Sequence, residues 1–192
     1  YRADPDIEGE PTEGDYKEAF SDEIRNYARG HIAPFFISGG DRDDDGKLAE
    51  QDEDDKETVY QINYHSNLTP QHHNAFNGSG GAWNKIETRI REKLLVEHGE
   101  LWVFAGPIFG PGTYDVIGEG VHVAPLFFQI VIWQEEGNPQ WEAYLLPHHQ
   151  KAHGDPEDYR VSVRHIEALT GLNFFSDFPA NDLERISTAE RN

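Results

Sequence analysis

Apolar side chains recur every three or four residues between positions 82 and 98, and this spacing predicts an amphipathic helix. At 3.6 residues per turn these side chains share one face of the helix. They are Trp83, Ile86, Ile90, Leu94 and Leu95. Gly99 follows at the position where helices commonly end. The pattern therefore predicts a long helix over 82–98 that packs its apolar face against a core.

Other segments have the composition of strands, rich in β-branched and aromatic residues. The predicted strands are 58–65, 101–105, 122–133 and 141–147, with turns at 106–107 and 110–112. A second helix is predicted over 159–170, ended by Gly171, and a short one over 21–27. Residues 1–24 and 67–81 have the polar, turn-rich composition of irregular chain.

Length and composition favour one folded domain. The chain has 192 residues, of which 36% are hydrophobic and 12% aromatic, enough for a single sizeable core. Strands around one long helix, with a second helix near the end, predict a mixed α/β or α+β domain over 1–192. An acidic insertion at 39–57 interrupts it. No apolar run reaches the roughly 20 residues of a membrane helix, so we expect no membrane partner. Cysteine is absent, which excludes disulfides and thiol chemistry.

The charge balance argues against a nucleic-acid-binding protein. Asp and Glu number 36 against 16 Lys and Arg, a formal net charge of −20, whereas nucleic acids are attracted to basic surfaces. The acidic excess is concentrated in residues 1–57, so a local basic site is compatible with the composition. Such acidity suits a salty extracellular medium, in which charge repulsion is screened within about 8 Å.

Arg29 and His31 are a candidate pair for phosphate chemistry. They lie two residues apart on an extended segment and therefore face the same side. The arginine could bind a phosphate while the histidine deprotonates a water beside it, and Gly30 would leave room for a close approach. The alternative is an ordinary structural histidine.

Two further pairs add metal and phosphate chemistry. Asn67 and Asn77 offer neutral carbonyl oxygens, although their surroundings also suit residues that only cap or bend the backbone. Glu87 and Arg91 are four apart on the predicted helix, one turn from each other. Their alternative is a solvent-facing ion pair worth a few tenths of a kcal/mol.

Several blocks of sequence, in order, carry a family resemblance over roughly 28–178. The blocks are RGHIAP, SNLTPQ, FNGSGGAW followed by KIE, WVFAGPIF, VHVAPLFFQIVIW, AYLLP and VSVRHIEALTGLNFF. Together they resemble the DNA/RNA non-specific endonucleases of the ββα-metal type, the family that includes mitochondrial endonuclease G and secreted bacterial sugar-non-specific nucleases. The resemblance implies the ββα-metal nuclease fold, in which an antiparallel sheet packs with a long metal-site helix.

The resemblance also implies an activity, namely one-metal hydrolysis of phosphodiester bonds in DNA and RNA to 5′-phosphate ends. Its site residues would be His31 as general base, Arg29 on phosphate, Asn77 as direct ligand of a single Mg²⁺, Glu87 orienting metal-bound water, Asn67 supporting the hydrated site, and Arg91 on the scissile or leaving phosphate. A neutral imidazole suits a base near pH 7. Mg²⁺ needs few protein ligands because it keeps most of its waters.

The chain departs from the family pattern at three points. Ala28 stands where most relatives have an aspartate, which removes a carboxylate beside the site. The glycine-rich piece between Asn77 and Trp83 is two residues longer than usual, so the helix should start after Asn77, and Asn74 is a competing metal ligand. The strands that normally precede this region are not found, and we expect the domain to be incomplete at its N-terminus.

The segment DRDDDGKLAEQD within the insertion matches a calcium-binding loop. In this interpretation the ligands of a structural Ca²⁺ are the carboxylates of Asp41, Asp43, Asp45 and Asp52 and the backbone carbonyl of Lys47. The alternative is a solvated acidic loop. Two histidine sets, His72 with His73 and His148 with His149 and His153, have metal-like spacing but lie in polar sequence, and we predict surface histidines.

Two functions of different classes follow. The first is a Mg²⁺-dependent DNA/RNA endonuclease, secreted or periplasmic, with the mitochondrial intermembrane space as the alternative compartment. The second is a catalytically weak or inactive nuclease-fold protein that acts as a calcium-stabilised binding or structural module. For the first, the expected partners are DNA and RNA, with a homodimer and an inhibitor protein or N-terminal fragment left open.

Overall fold

The centre of the fold is an antiparallel sheet with helices on both faces. The computed structural model describes residues 1–21, 26–34 and 56–176. The elements are α1 (Glu13–Ser21), β1 (Tyr27–His31), α2 (Lys56–Ile62), β2 (Leu68–His72), α3 (82–98), β3 (Trp102–Ile108), β4 (Val116–Ile117), β5 (Val121–His122), β6 (Leu126–Glu135), β7 (Asn138–Pro147) and α4 (Val163–Thr170). Short 3₁₀ helices occupy His65–Asn67 and Pro156–Tyr159.

The central sheet has the strand order β3, β6, β7 with antiparallel pairing throughout. Strand β6 lies in the middle and is buried on both faces, which explains its nearly continuous apolar sequence. It is joined to β7 by a two-residue turn in which Glu136 and Gly137 have φ values of 51° and 76°. Turns with two positive φ values match the twist of a hairpin.

The alternating side chains of β6 divide the core in two. Phe127, Val131 and Trp133 face α3, whose own residues Trp83, Ile86, Ile90 and Leu94 complete that half. Phe128, Ile130 and Ile132 face α4 on the other side. Because β-strand side chains alternate between faces, this register buries the apolar face of α3 as predicted. Each such large side chain contributes roughly 1.5–3 kcal/mol on burial.

Strands β1 and β2 form a separate antiparallel pair that leads into α3. Arg29 lies opposite Pro70, and His31 opposite Leu68. A third apolar cluster fixes this pair against α1 and β4; its buried members are Tyr16, Tyr27, Leu68, Ile117 and Val123. Two strands followed by a helix are the arrangement that gives the ββα-metal fold its name.

Helix α3 confirms the prediction over 82–98, with one irregularity. It is α-helical at Ala82–Arg89 and Leu95–His98 but π-helical at Ile90–Leu94. Single π-helical turns within α-helices are frequent at functional sites. The second predicted helix starts later than expected, at Val163, and ends before Gly171 as predicted.

The prediction of irregular chain over 1–24 is wrong at 13–21, and the helix predicted over 21–27 is wrong at its end, whereas residues 22–25 lie outside the described part of the chain. Helix α1 occupies Glu13–Ser21, and Tyr27 already begins β1. Asp15 accepts hydrogen bonds from the backbone N–H and the hydroxyl of Thr12, at 2.8 and 2.7 Å. This carboxylate reaches back to the residue before the helix, as in a capping box, and the Thr-x-x-Asp spacing was the available signal.

The strand predicted over 58–65 and the loop predicted over 67–81 are also wrong. Lys56–Ile62 is helical, and Val59 and Ile62 are buried while Tyr60 is exposed, a spacing of three that suits a helix rather than a strand. Leu68–His72 forms β2, and His73–Asn77 is a π-helical segment. The turn predicted at 106–107 lies inside β3.

The close packing at Gly30 has a cause other than the predicted one. A Cβ at this position would lie 2.1 Å from the Oε1 atom of Gln71, whose side chain is fully buried opposite Ala28. The missing side chain therefore makes room for Gln71 of the neighbouring strand. The predicted reason for the glycine, room for a phosphate, is not the one that this contact shows.

Candidate active site

His31 ends β1 with its imidazole held by an amide. Its Nε2 lies 3.4 Å from Oδ1 of Asn63, and the amide nitrogen of Asn63 donates to the carbonyl of Val59 at 2.9 Å. The second hydrogen bond fixes which side of the amide faces the ring, so Nε2 is the donor and Nδ1 is left as the basic nitrogen. Burial lowers the pKa of His31, and the nearby charge of Arg29 acts in the same direction.

Arg29 is engaged by two groups of the same chain. Its Nη1 donates to Oε1 of Glu13 at 3.1 Å, and its guanidinium lies 4.1 Å from the centre of the Tyr1 ring. The side chain of Glu13 is 71% exposed and that of Arg29 is 31% exposed. An ion pair this accessible is weak, so another anion could compete with Glu13 for the guanidinium.

A cleft of about 820 Å³ opens beside Arg29. Its lining includes Tyr1, Glu13, Gly14, Tyr16, Lys17, Ala28, Arg29, His73 and Asn77. Two cations, Lys17 and Arg29, share this surface with one acid, Glu13, so the lining has a small positive excess in an acidic chain. The structure thus brings together Arg29 and Asn77 among the predicted site residues. The exposed Asn74 is not part of the lining.

Asn77 is placed by the glycine-rich insertion. It ends the π-helical segment, and α3 starts after it, at Ala82 as predicted. Between them Gly81 turns so closely that a Cβ would lie 2.4 Å from the carbonyl oxygens of both Ala75 and Phe76. The two extra residues are thus accommodated by a tight loop folded back on the π-helical turn.

Asn67 acts on the backbone next to His31. Its Oδ1 accepts from the N–H of Ala33 at 2.8 Å, and its Nδ2 donates to the carbonyls of Ala33 and Ile62 at 3.0 and 2.9 Å. The backbone carbonyl of Asn67 also accepts from the N–H of Ile32 at 2.9 Å. The side-chain amide and the backbone carbonyl of Asn67 therefore fix the chain immediately after the candidate base.

Glu87 and Arg91 lie near enough on α3 to interact electrostatically. Burial raises the pKa of Glu87 to about 7, and the nearby Trp83 indole and the charge of Arg91 oppose that rise. Arg91 also pairs with Glu92 at 2.9 Å. A carboxyl group with a strongly raised pKa is a frequent mark of a functional site, because the ionised form then needs a cation nearby.

The predictions for the two histidine sets and for the calcium loop have different outcomes. His72 and His148 are not surface residues, since each is only 8% exposed; their rings lie 4.6 Å apart because β2 and the end of β7 turn them inward. His73, His149 and His153 are exposed as predicted. The calcium-loop residues, Asp41, Asp43, Asp45, Lys47 and Asp52, lie outside the described residues.

Sequence reasoning missed two partners of the site, Asn63 and Glu13. Asn63 lies within the segment predicted as a strand and directly follows α2, and Glu13 lies in a helix that was predicted as irregular chain. In both cases the correct helix assignment would have drawn attention to a polar residue at a helix end. Which candidate site residue each one meets depends on contacts between distant parts of the chain.

Comparison with known proteins identifies the family. A family model described as DNA/RNA non-specific endonuclease matches residues 1–181, and the chain belongs to this family. A solved structure of the EndoG/EndoGI complex, which addresses the mechanism of EndoG inhibition, matches with a TM-score of 0.67 at 22% identity. The match covers 90% of this chain and 66% of that chain, so this chain spans just under two thirds of its length. No curated protein matches.

The structural match confirms the predicted fold class, α+β with the ββα-metal nuclease architecture. The resemblance seen in the sequence blocks is likewise confirmed by the family match. Within the described residues, no helix is long and apolar enough to cross a membrane. Nor do three or more His, Cys, Asp or Glu side chains gather into a metal site in that part of the chain.

Proposed function

We propose that this protein is a Mg²⁺-dependent endonuclease that hydrolyses phosphodiester bonds of DNA and RNA and leaves 5′-phosphate ends. The observation that carries the proposal is the His31 imidazole. It is kept neutral by burial and oriented by Asn63, on the same strand as a cleft-lining arginine. A neutral, oriented imidazole is what a general base near pH 7 requires.

His31 starts the reaction by removing a proton from water. With Nε2–H donated to Asn63, the lone pair on Nδ1 accepts the proton, and the resulting hydroxide attacks phosphorus. Arg29 binds a non-bridging phosphate oxygen once Glu13 has released it, and Arg91 neutralises charge on the phosphate from α3. Asn67 keeps His31 in place through its hydrogen bonds to the backbone of Ala33.

The residues present fit a single Mg²⁺. Asn77 offers a neutral amide oxygen in the cleft, and Glu87 is a poorly solvated carboxyl that a nearby divalent cation would keep ionised. Both are oxygen donors, the type that Mg²⁺ prefers, and the remaining positions would be filled by water. The ion would supply positive charge for the departing 3′ oxygen.

We expect Asn77→Ala to raise the Mg²⁺ concentration needed for half-maximal cleavage by about tenfold or more, because it removes the direct ligand. The matched control is Asn74→Ala, which removes the same amide three residues earlier from an exposed position outside the cleft lining. Mg²⁺ titrations of plasmid nicking compare the two. A larger effect of Asn74→Ala would transfer the ligand role to that residue.

We expect Glu13→Gln to strengthen binding of a short DNA oligonucleotide about two- to fivefold at low salt. The substitution frees Arg29 from an exposed ion pair worth up to about 1 kcal/mol. Glu8→Gln removes the same charge from an exposed position and controls for the change in net charge. Equal gains in both variants, measured by fluorescence anisotropy, would mean that only overall repulsion had changed.

A non-catalytic module is the second candidate, and one observation favours it. Arg29 is occupied by Glu13 and Tyr1, and Ala28 in the cleft replaces the family's usual carboxylate. In this reading Ca²⁺ at 41–52 would stabilise a nuclease fold that binds without cutting, and the Ca²⁺ loop stays a prediction. The compartment, secreted or periplasmic, and assembly as a homodimer or with an inhibitor protein are proposals from the sequence alone.

A further inference from the structure

We propose that Arg89, held by the buried carboxylate of Glu142, is a positioning residue that fixes the rotation of α3 about its axis relative to the candidate active site. The inference rests on the proposed function, since it concerns the helix that carries Glu87 and Arg91. Neither Arg89 nor Glu142 belongs to the family blocks from which the site residues were predicted.

The contact between the two side chains is bidentate. Arg89 Nε donates to one carboxylate oxygen of Glu142 at 2.8 Å, and Nη2 donates to the other at 2.5 Å. Glu142 lies on β7 and is 6% exposed. Paired hydrogen bonds of this kind fix direction as well as distance, because the planar guanidinium matches the carboxylate.

Other groups complete the surroundings of the Glu142 carboxylate. The hydroxyl of Tyr144 and Nη2 of Arg160 also donate to it. Burial alone would raise the pKa of this carboxyl, but the hydrogen bonds from Arg89 and Tyr144 and the charges of both arginines outweigh it and lower the pKa to about 2. The carboxylate is therefore ionised throughout the working pH range and always available to Arg89.

The contact between Arg89 and Glu142 matters for the site because of where Arg89 lies along α3. Arg89 lies two residues after Glu87 and two residues before Arg91, and the π-helical segment begins at the next residue, Ile90. The apolar face of α3 fixes depth against the sheet, but apolar contacts have no preferred direction. The ion pair adds the directional constraint that sets how far the helix is rotated about its axis.

Arg160 provides a matched comparison. It pairs with the same carboxylate and also with Glu157 at 2.9 Å, but it follows the 3₁₀ helix at Pro156–Tyr159 and is not part of α3. Removing either arginine takes one partner from the same buried anion, at a cost in stability. Only removal of Arg89 releases the helix that carries the candidate site residues.

The test compares Arg89→Gln with Arg160→Gln by thermal unfolding and by kcat and KM at a temperature at which every variant is folded. We expect both to lower the melting temperature. Arg89→Gln should lower kcat ten- to hundredfold, since a misplacement of about 1 Å can cost about 10²-fold. Arg160→Gln should stay within about twofold of wild type. Arg89→Lys keeps the positive charge but cannot make the bidentate contact, so its kcat should lie between those of wild type and Arg89→Gln. It replaces Arg89→Gln in the comparison if the glutamine variant does not fold.

Similar kcat losses in both glutamine variants, or a wild-type kcat in Arg89→Gln, would overturn the positioning role. Failure of the proposed function itself looks different, because the wild-type protein would then cleave nothing. In that case amide hydrogen exchange over 82–98 decides. Faster exchange in Arg89→Gln than in Arg160→Gln supports the role of Arg89 in fixing the helix, and equal exchange rejects it.

Discussion

His31→Ala is expected to lower the rate of phosphodiester cleavage by about 10² to 10⁴, the range that loss of a general base produces. The side chain is only partly buried at the end of β1, so the fold should persist. In the wild-type enzyme the acid limb of the pH–rate profile should lie below pH 6.5. The neutral imidazole is the active form, and burial lowers the pKa of His31 from its ordinary value of 6.5.

The control for this variant is His165→Ala. His165 is an exposed histidine on α4, which packs on the opposite face of the central sheet from α3, and its loss should leave the rate within about twofold. Rates are measured by nicking of supercoiled plasmid, with circular dichroism to confirm folding. Near-normal Mg²⁺-dependent cleavage by folded His31→Ala would show that His31 is not the general base.

His148→Gln is expected to remove an acid-induced loss of about 2 to 3 kcal/mol in the free energy of unfolding between pH 6.5 and 4.5. In the native structure His148 Nε2 accepts from the backbone N–H of His72 at 2.9 Å, and Nδ1 bonds to the carbonyl of Ala124 at 2.7 Å. Both bonds together require the neutral ring. Protonation would place a second N–H against a backbone donor inside a cluster that includes Phe76 and Phe127.

The sign of the pH effect follows from the pKa difference. Burial lowers the pKa of His148 to about 3 in the folded protein, with the bond to Ala124 acting against this and the neighbouring His72 and His149 adding to it. A lowered histidine pKa means that stability is fully present above the unfolded pKa of about 6.5 and is lost as the pH falls toward 3. By pH 4.5 His148 alone should account for a loss of about 2 to 3 kcal/mol in the free energy of unfolding. Glu87, whose pKa burial raises to about 7, stabilises the fold as the pH falls through the same window, so the His148 contribution is the difference in slope between wild type and His148→Gln.

Urea unfolding followed by tryptophan fluorescence at pH 6.5, 5.5 and 4.5 measures this loss. The window stops at 4.5 because the depressed pKa of Glu142, about 2, contributes its own acid sensitivity below that pH. His149→Gln changes the exposed neighbour and should keep the wild-type slope. A slope in His148→Gln as steep as in wild type would place the acid sensitivity elsewhere.

Regular patterns on elements that pack by one face were readable from the sequence. The 82–98 spacing and the apolar run of β6 correctly predicted the site helix and the central strand, because burial against a core enforces their periods. Val59 and Ile62 were misread because a short segment of β-branched and aromatic residues suits either state. The Thr12 to Asp15 cap shows that α1 could have been found from polar residues alone.

The residues of the candidate site also divide into those that the sequence could predict and those that it could not. Arg29, His31 and Asn77 could be selected from residue type and order, since these are properties of single positions in the chain. The partners that tune them could not, because Glu13 and Asn63 meet Arg29 and His31 only through tertiary packing. The buried pair of His72 and His148 was misjudged for the same reason, since polar sequence around a histidine does not reveal which strands enclose it.

The most direct test of the central claim is cleavage by the purified 192-residue chain with Mg²⁺ and with EDTA. We predict that supercoiled plasmid DNA and a single-stranded RNA are both cut with Mg²⁺, that the new ends carry 5′-phosphates, and that EDTA abolishes cleavage. A folded protein that leaves both substrates intact across a range of Mg²⁺ concentrations would contradict the proposed function and favour the non-catalytic module.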